Sequence, residues 1–366
     1  MKVGVPKEVV PSERRVALTP DVLPSLVKSG VEVLVESDAG AGAFFGDDQF
    51  EKAGAKTVPD VYGQAEIVVK VQRPTGEELK KLREGTVLIA LLQASTQPEM
   101  VQELAQRKVT SFGMEGIPRI SRAQKMDALS SQASLAGYKA VLLAASALGK
   151  YFPMLMTAAG TTPPSKVLVL GAGVAGLQAI ATAKRLGAQV WGYDVRAAVK
   201  EQIESLGAKF LEFDIGVTDA EGKGGYAKEL SPEQKARQQE MLGEKTKEFD
   251  VVITTAAIPG KPAPKLILKD TVAGMKPGSV IIDLAAESGG NCELTEPGKQ
   301  VVKHQVIIEG PVNLPSTIPI HASRMYARNV TELLKLLIKD GKLNLDFNDE
   351  IIKESCVTHD GKVRKS

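Results

Sequence analysis

Between Lys166 and Asp194 the hydrophobic period of the chain changes twice, and this narrows its fold more than any other stretch. Residues 166–170, Lys-Val-Leu-Val-Leu, are a run of strand length rich in β-branched residues and leucine. Gly171, Gly173 and Gly176 follow directly in a G-x-G-x-x-G spacing that encloses Val174 and Ala175. An Ala- and Leu-rich helix is predicted next, stopping near Leu186-Gly187, and a second strand covers 189–193. By itself such a glycine spacing also fits an ordinary glycine-rich turn. Here a strand precedes it, a helix follows, and an acid, Asp194, falls 23 residues after Gly171. That is the context a dinucleotide fingerprint requires.

Each glycine has its own task in that reading. The first makes the tight turn, the second lets a pyrophosphate approach the backbone, and the third lets helix and strand pack closely. The helix N-terminus adds free N–H groups and a positive dipole end for the phosphates. Asp194 is placed to accept both hydroxyls of an adenosine ribose, and its charge repels a 2′-phosphate. The expected ligand is therefore NAD(H) rather than NADP(H).

A chain of 366 residues suggests two domains. The formal net charge of +2 leaves no electrostatic footprint for nucleic acid. Cys292 and Cys356 lie far apart without a C-x-x-C, which argues against zinc and a disulfide framework and fits a reducing compartment. No metal is expected. The chain opens directly on a strand, with no visible signal peptide. Its longest nearly uncharged apolar stretch, 140–148, is too short to cross a bilayer. No direct membrane span is expected, and docking on a membrane partner stays open.

The first 120 residues alternate strand and helix signals, with strands at 2–6, 31–36, 67–71, 88–92 and 109–112 and a helix at 98–107. Thr19 and Pro20 read as N-cap and N1 of another helix. A polar loop, 116–127, leads into a long proline-free helix at 127–148. Beyond Asp194, a helix at 196–206 and a strand at 209–213 precede a glycine-rich polar stretch, 216–230. That stretch is either a disordered excursion or a lid with Tyr226 as its aromatic contact. Ser231-Pro-Glu-Gln234 opens the next helix as a capping box. A further strand with its loop is read at 250–259 and strands at 279–284 and 306–309, then one amphipathic helix at 322–339, expected to pack on the first domain. The basic tail from Ser355 reads as a frayed terminus. His304, His321 and His359 read as structural.

Several motifs carry a family resemblance that covers nearly the whole chain. Pro6-Lys-Glu8, Arg15-Val-Ala-Leu-Thr-Pro20, Val69-Lys-Val71 and the glycine unit resemble alanine dehydrogenase. The stretch Arg119-Ile120-Ser121-Arg-Ala-Gln124-Lys-Met-Asp127-Ala-Leu-Ser130-Ser-Gln132, with Gly224-Gly225-Tyr226 and Thr254-Thr-Ala-Ala257-Ile-Pro-Gly-Lys-Pro-Ala-Pro264, is similar to the NAD(H)-binding component, domain I, of proton-translocating nicotinamide nucleotide transhydrogenase. The departures from alanine dehydrogenase bear on chemistry. Where that family has a histidine after the fourth strand, this chain has Gln93. Where it has Asn-Asp, this chain has Asn313-Leu314. Glutamine and leucine do no general acid–base work. Arg15 and Lys70, which match substrate-binding positions, are read as inherited or structural.

Hydride transfer between two nicotinamides needs the rings held close and water kept out, not a proton donor. The resemblance implies that Arg119, Gln124 and Asp127 serve that step, with Ile120, Ser121 and Ser130 beside the nucleotide and Gln124 reaching the ribose of the second one. A plainer reading makes Ser121 and Gln124 a capping box of the long helix. Gly225, Tyr226, Gln238 and Ala257 carry over as secondary contacts, and Val195 and Arg196 as neighbours of the ribose site.

The expected fold is α/β: two Rossmann-like domains with mostly parallel sheets, separated by a nucleotide-binding cleft and joined by long helices. Residues 1–128 plus 311–366 form one domain and 129–310 the NAD(H)-binding domain. By resemblance, the chain is a homodimer that passes hydride from NADH to NADP+ on a separate NADP(H)-binding domain III component. A membrane-spanning component would couple this to proton translocation and place the chain on the cytoplasmic, inner face of the plasma membrane. The alternatives are a free amino- or keto-acid dehydrogenase and a non-catalytic NAD-binding module.

Overall fold

The structure is a computed structural model that describes residues 1–213, 231–257 and 261–365. It divides into two compact units, Met1–Gln132 with Pro315–Ser366, and Ala133–Leu314. The chain passes from the first unit to the second within the helix Ala128–Ala147.

The sheet of the first unit has eight strands, in the order Lys362–Val363, Cys356–His359, Thr110–Gly113, Val87–Leu91, Ile67–Gln72, Lys2–Val5, Glu32–Glu36, Lys56–Val58. The six strands from Thr110–Gly113 to Lys56–Val58 pair in parallel. Parallel strands are covered on both faces and so read as continuous apolar runs. In Ile67–Gln72, Ile67, Val69 and Val71 enter one core, while Val68 enters the other. The amphipathic helix Pro319–Leu337 closes the first of these cores with Tyr326, Leu333 and Leu334.

Two local expectations fail in this unit. The first helix is Leu23–Lys28, with Pro24 in its opening turn, and Thr19 is not its cap. The Thr19 hydroxyl donates to Asp21 Oδ1 at 2.7 Å and its carbonyl accepts from Val22, so those residues form a turn ahead of the helix. The carboxyl-terminal tail is not frayed. Cys356–His359 adds antiparallel to Thr110–Gly113, and Lys362–Val363 pairs with it in turn. Thr358 bonds Ser111 Oγ at 2.7 Å and the Val109 carbonyl, and His359 meets the Thr110 hydroxyl. An open sheet edge offers unpaired backbone groups, and the tail satisfies them.

The sheet of the second unit runs Lys209–Phe210, Gln189–Tyr193, Lys166–Leu170, Val251–Thr254, Val280–Asp283, Val306–Glu309, Gln300–Lys303. Numbered along the chain with the antiparallel edge strand Gln300–Lys303 left out, the six parallel strands read 3-2-1-4-5-6, the doubly wound arrangement. Among the described strands of this sheet only Gln300–Lys303 is antiparallel. Val167 and Val169 point into one core and Leu168 and Leu170 into the other. The strand order reverses between Lys166–Leu170 and Val251–Thr254, which are paired in parallel from Val167↔Val251 to Leu170↔Thr254. Ligands of such sheets bind beyond the strands' carboxyl ends at this reversal.

Candidate functional site

The glycine turn sits at that reversal. Gly171 has φ +97°, a left-handed conformation that favours glycine, and its amide donates to the Tyr193 carbonyl at 2.8 Å. A Cβ at Gly176 would stand 1.9 Å from the Gly171 carbonyl oxygen, so the first turn of the helix Val174–Arg185 lies directly on the strand end. Gly173 differs from both: its φ of −76° suits any residue, and among the described residues a Cβ there would meet nothing within 4 Å. Packing among the described residues therefore does not require glycine at 173, whereas a group approaching the backbone from outside would. Val174 is exposed, and the amides of Val174, Ala175 and Gly176 lie in the first turn, where a helix has no acceptors of its own. These residues fit a dinucleotide pyrophosphate.

Asp194 follows the strand Gln189–Tyr193 and is nearly buried. Its Oδ2 accepts from the Ala172 amide at 2.8 Å and from Arg196 Nη2 at 2.7 Å. Its Oδ1 accepts from the Arg196 amide at 3.0 Å and Arg196 Nε at 2.8 Å. The carboxylate is thus fixed against the turn, with a guanidinium laid across it. Val195 packs against the adjoining core. Gln238 is buried on the helix Pro232–Thr246, which starts with the expected Ser231/Gln234 capping box, and its amide donates to the Tyr193 hydroxyl at 3.0 Å. Ala257 is exposed beyond the strand Val251–Thr254. Gly225 and Tyr226 lie outside the described residues.

Sequence reasoning missed the groups that build the loop walls. Thr255 Oγ1 donates to the Gly171 carbonyl at 3.0 Å. The Asn291 amide grips the next residue from both sides, accepting from the Ala256 amide at 3.0 Å and donating to the Ala256 and Pro264 carbonyls at 2.8 Å. The fully buried Asp283 carboxylate accepts from Thr254, Ala285, Cys292 and Thr295. Gly137 on the helix Ala128–Ala147 is a contact point as well: a Cβ there would fall 2.0 Å from the Ala175 carbonyl oxygen. The only hint in the chain is a glycine pair, Gly289-Gly290, before Asn291. Both thiols are buried, and burial raises their pKa, that of Cys356 to about 11.

In the first unit, Ser121–Met126 is a 3-10 helix without a side-chain cap, so Ser121 and Gln124 form no capping box of the long helix. Asp127 does that work: Oδ1 accepts from the Ser130 amide at 2.8 Å and Oδ2 from the Ser130 hydroxyl at 2.6 Å. Arg119 and Gln124 are exposed, and Ile120 is half-buried against the main core. The turn is held from two sides. Arg122 makes a bidentate pair with Asp349, at 2.7 and 2.9 Å, and Asn329 Nδ2 donates to the Lys125 carbonyl at 2.8 Å. Gln124 lies between these two anchors in sequence.

Arg15 and Lys70 are already neutralised inside the same unit. Lys70 is fully buried, with its ammonium between Glu78 at 2.5 Å and Glu8 at 3.2 Å. Arg15 pairs with Glu13 through Nε and Nη2 and donates Nη1 to Gln132. Gln93 stands at φ +53°, on a loop whose Leu92 and Ala94 amides bind the half-buried Glu115 carboxylate. Burial opposes the charge of Glu13, but the hydrogen bonds and charge of Arg15 and the Gln72 bond outweigh it and lower its pKa to about 2. A carboxylate depressed on folding adds stability above its unfolded pKa and loses it as pH falls through the folded one. Glu13→Gln is therefore expected to cost on the order of 3 kcal/mol near pH 7 and much less at pH 3. Burial raises the Glu8 pKa, a contribution of opposite sign, so the comparison must be between variant and parent at each pH. Urea unfolding at the two pH values measures it; an equal cost at both would show that the ion pair is not the source.

A doubly wound sheet with this turn, together with a second parallel α/β unit, defines a dehydrogenase-like two-domain class. The chain belongs to the alanine dehydrogenase/PNT family: the family's N-terminal domain matches residues 4–136 and its C-terminal domain residues 140–366. Within it, the chain is 52% identical over 374 residues to an NAD(P) transhydrogenase subunit alpha protein of Rhodospirillum rubrum, covering 99% of this chain and 97% of that protein. The solved structure of transhydrogenase from Sinorhizobium meliloti matches with TM-score 0.88 at 41% identity, over 100% of this chain and 99% of that one. An L-alanine dehydrogenase structure matches with TM-score 0.83 at 26% identity, over 100% and 97%. Among the described residues no helix is long and apolar enough to cross a membrane.

Proposed function

We propose that this chain is the NAD(H)-binding component of a proton-translocating NAD(P) transhydrogenase. The observation that carries the proposal is the glycine turn with Asp194 at the strand-order reversal, where no packing contact among the described residues calls for glycine at 173 and an approaching pyrophosphate does. NADH held there supplies a hydride for NADP+ bound on a separate domain III component. The chain's own part is to bind and orient. The Val174 to Gly176 amides meet the pyrophosphate, Asp194 the adenosine ribose, and Arg119, Gln124 and Asp127 serve the transfer step. Ile120, Ser121, Ser130, Val195, Arg196, Gly225, Tyr226, Gln238 and Ala257 belong to the same proposed nucleotide set. The component works as a homodimer, docked through a membrane-spanning partner on the inner face of the plasma membrane.

A keto-acid dehydrogenase would need Arg15 and Lys70 available for a substrate carboxylate and an acid–base group near Gln93. The ion pairs of both cations speak against that reading. The discriminating experiment mixes the protein with an NADP-loaded domain III and follows hydride exchange, with pyruvate and ammonia turnover as the counter-assay. Equilibrium dialysis is expected to show NADH preferred over NADPH, and Asp194→Asn to narrow the preference by about tenfold, or about 1.4 kcal/mol, the scale of one charged contact. Equal affinity of the unmutated protein for both nucleotides would remove Asp194 from the ribose site.

A further inference from the structure

The carboxylate that is to receive the ribose has no acceptor position to spare. An ionised carboxylate offers about four lone-pair directions. At Asp194 four protein donors take them: the amides of Ala172 and Arg196, and Nε and Nη2 of Arg196. The two amides are backbone, one in the glycine turn and one in the segment just after Asp194, and cannot leave without rebuilding those segments. The two guanidinium bonds come from a side chain two residues away on a flexible stem. Side-chain exposures of 7% for Asp194 and 14% for Arg196 show a pair largely withdrawn from water, where charge-assisted, bidentate bonds are strong. A ribose diol donates two hydrogen bonds, the number that Arg196 supplies.

We propose that Arg196 is an internal competitor for the adenosine ribose, and thereby a determinant of both affinity and NADH/NADPH selectivity. This rests on the assignment of the glycine turn and Asp194 to NAD(H). The diol binds only when the guanidinium lifts off, so the measured affinity is the intrinsic affinity reduced by the fraction of molecules in which Asp194 is uncovered. Once lifted, the guanidinium remains beside the ribose as a planar cation suited to phosphate. It then offsets part of the repulsion that Asp194 exerts on a 2′-phosphate. One side chain thus weakens NADH binding and softens the rejection of NADPH.

The test is NADH and NADPH binding to Arg196→Ala and Arg196→Lys, by isothermal titration at one ionic strength. Circular dichroism and thermal midpoints verify that each variant is folded. Arg196→Ala is expected to bind NADH about three- to tenfold more tightly and NADPH no better, so the NADH/NADPH ratio widens by a similar factor. Arg196→Lys keeps the charge but loses the fork, so it should fall between Ala and the parent in NADH affinity; it also serves as the test if the alanine variant does not fold. Weaker or unchanged NADH binding in the folded variants, or an unaltered ratio, overturns the competitor role and makes Arg196 an ordinary contact or a structural brace. Failure of the unmutated protein to bind NADH is a different result, which removes the site assignment itself.

Discussion

Gly173→Ala is expected to leave the thermal midpoint within a few degrees of the parent while weakening NADH binding by a hundredfold or more, about 2.7 kcal/mol. Gly176→Ala is expected to lose both. The difference comes from what each new methyl would meet. At 173 it meets no atom of the described residues within 4 Å, and the backbone is already in an ordinary extended conformation. The methyl would intrude on a pyrophosphate drawn against the amides of the turn. At 176 it would overlap the Gly171 carbonyl oxygen, which is backbone and cannot turn aside. The helix Val174–Arg185 would have to leave the strand, at a cost on the order of 3 kcal/mol or more for overpacking. Thermal melts and NADH titrations of the two variants separate the cases. Undiminished NADH affinity in folded Gly173→Ala would mean that the phosphates do not pass this turn.

Those glycines are legible in the sequence because a strand, a turn and a helix in succession are short-range facts. Each is set by neighbours a few residues away, and so is the Ser231/Gln234 cap. The groups missing from the sequence reading are those whose partners are remote. Asn291 reads as a loop polar residue until its amide is seen clasping Ala256, 35 positions earlier. Asp283 looks like the end of a strand and proves to gather donors from four residues. The tail is misread for the same reason: nothing within 355–366 announces the open edge at Thr110–Gly113 that it covers. Asp127 is a subtler error. Its role toward a ligand comes from resemblance, and the local rule that it also satisfies, an N-cap with a partner at N3, is credited to Ser121 and Gln124 instead. The ion pairs around Lys70 join Glu8, Lys70 and Glu78, and no spacing pattern marks them.

Gln124→Ala is expected to slow single-turnover hydride transfer to NADP-loaded domain III by tenfold to a hundredfold, roughly 1.4–2.7 kcal/mol, with the NADH dissociation constant nearly unchanged. A side-chain amide neither gains nor loses a proton at working pH, so its contribution is positional. The geometry of its turn suits that task. Gln124 is exposed, and the backbone around it is tied down by the Arg122–Asp349 pair and by Asn329 on the Lys125 carbonyl. Removing an exposed side chain from an anchored turn leaves the fold intact, which makes the substitution a clean one. Asp127→Ala is different, because it also removes the cap of the helix Ala128–Ala147, about 1 kcal/mol of stability. Its effect on transfer must therefore be read beside its melting curve. Asn329→Ala supplies the control for anchoring: it keeps Gln124 but frees the Lys125 carbonyl, and should slow transfer less than Gln124→Ala while leaving NADH binding alone. If Gln124→Ala transfers at the parental rate, or loses NADH affinity in proportion to its loss of rate, the amide does not act on the transfer step. The assignment of this turn to hydride transfer would then fall, while the nucleotide site at the glycine turn would stand on its own measurements.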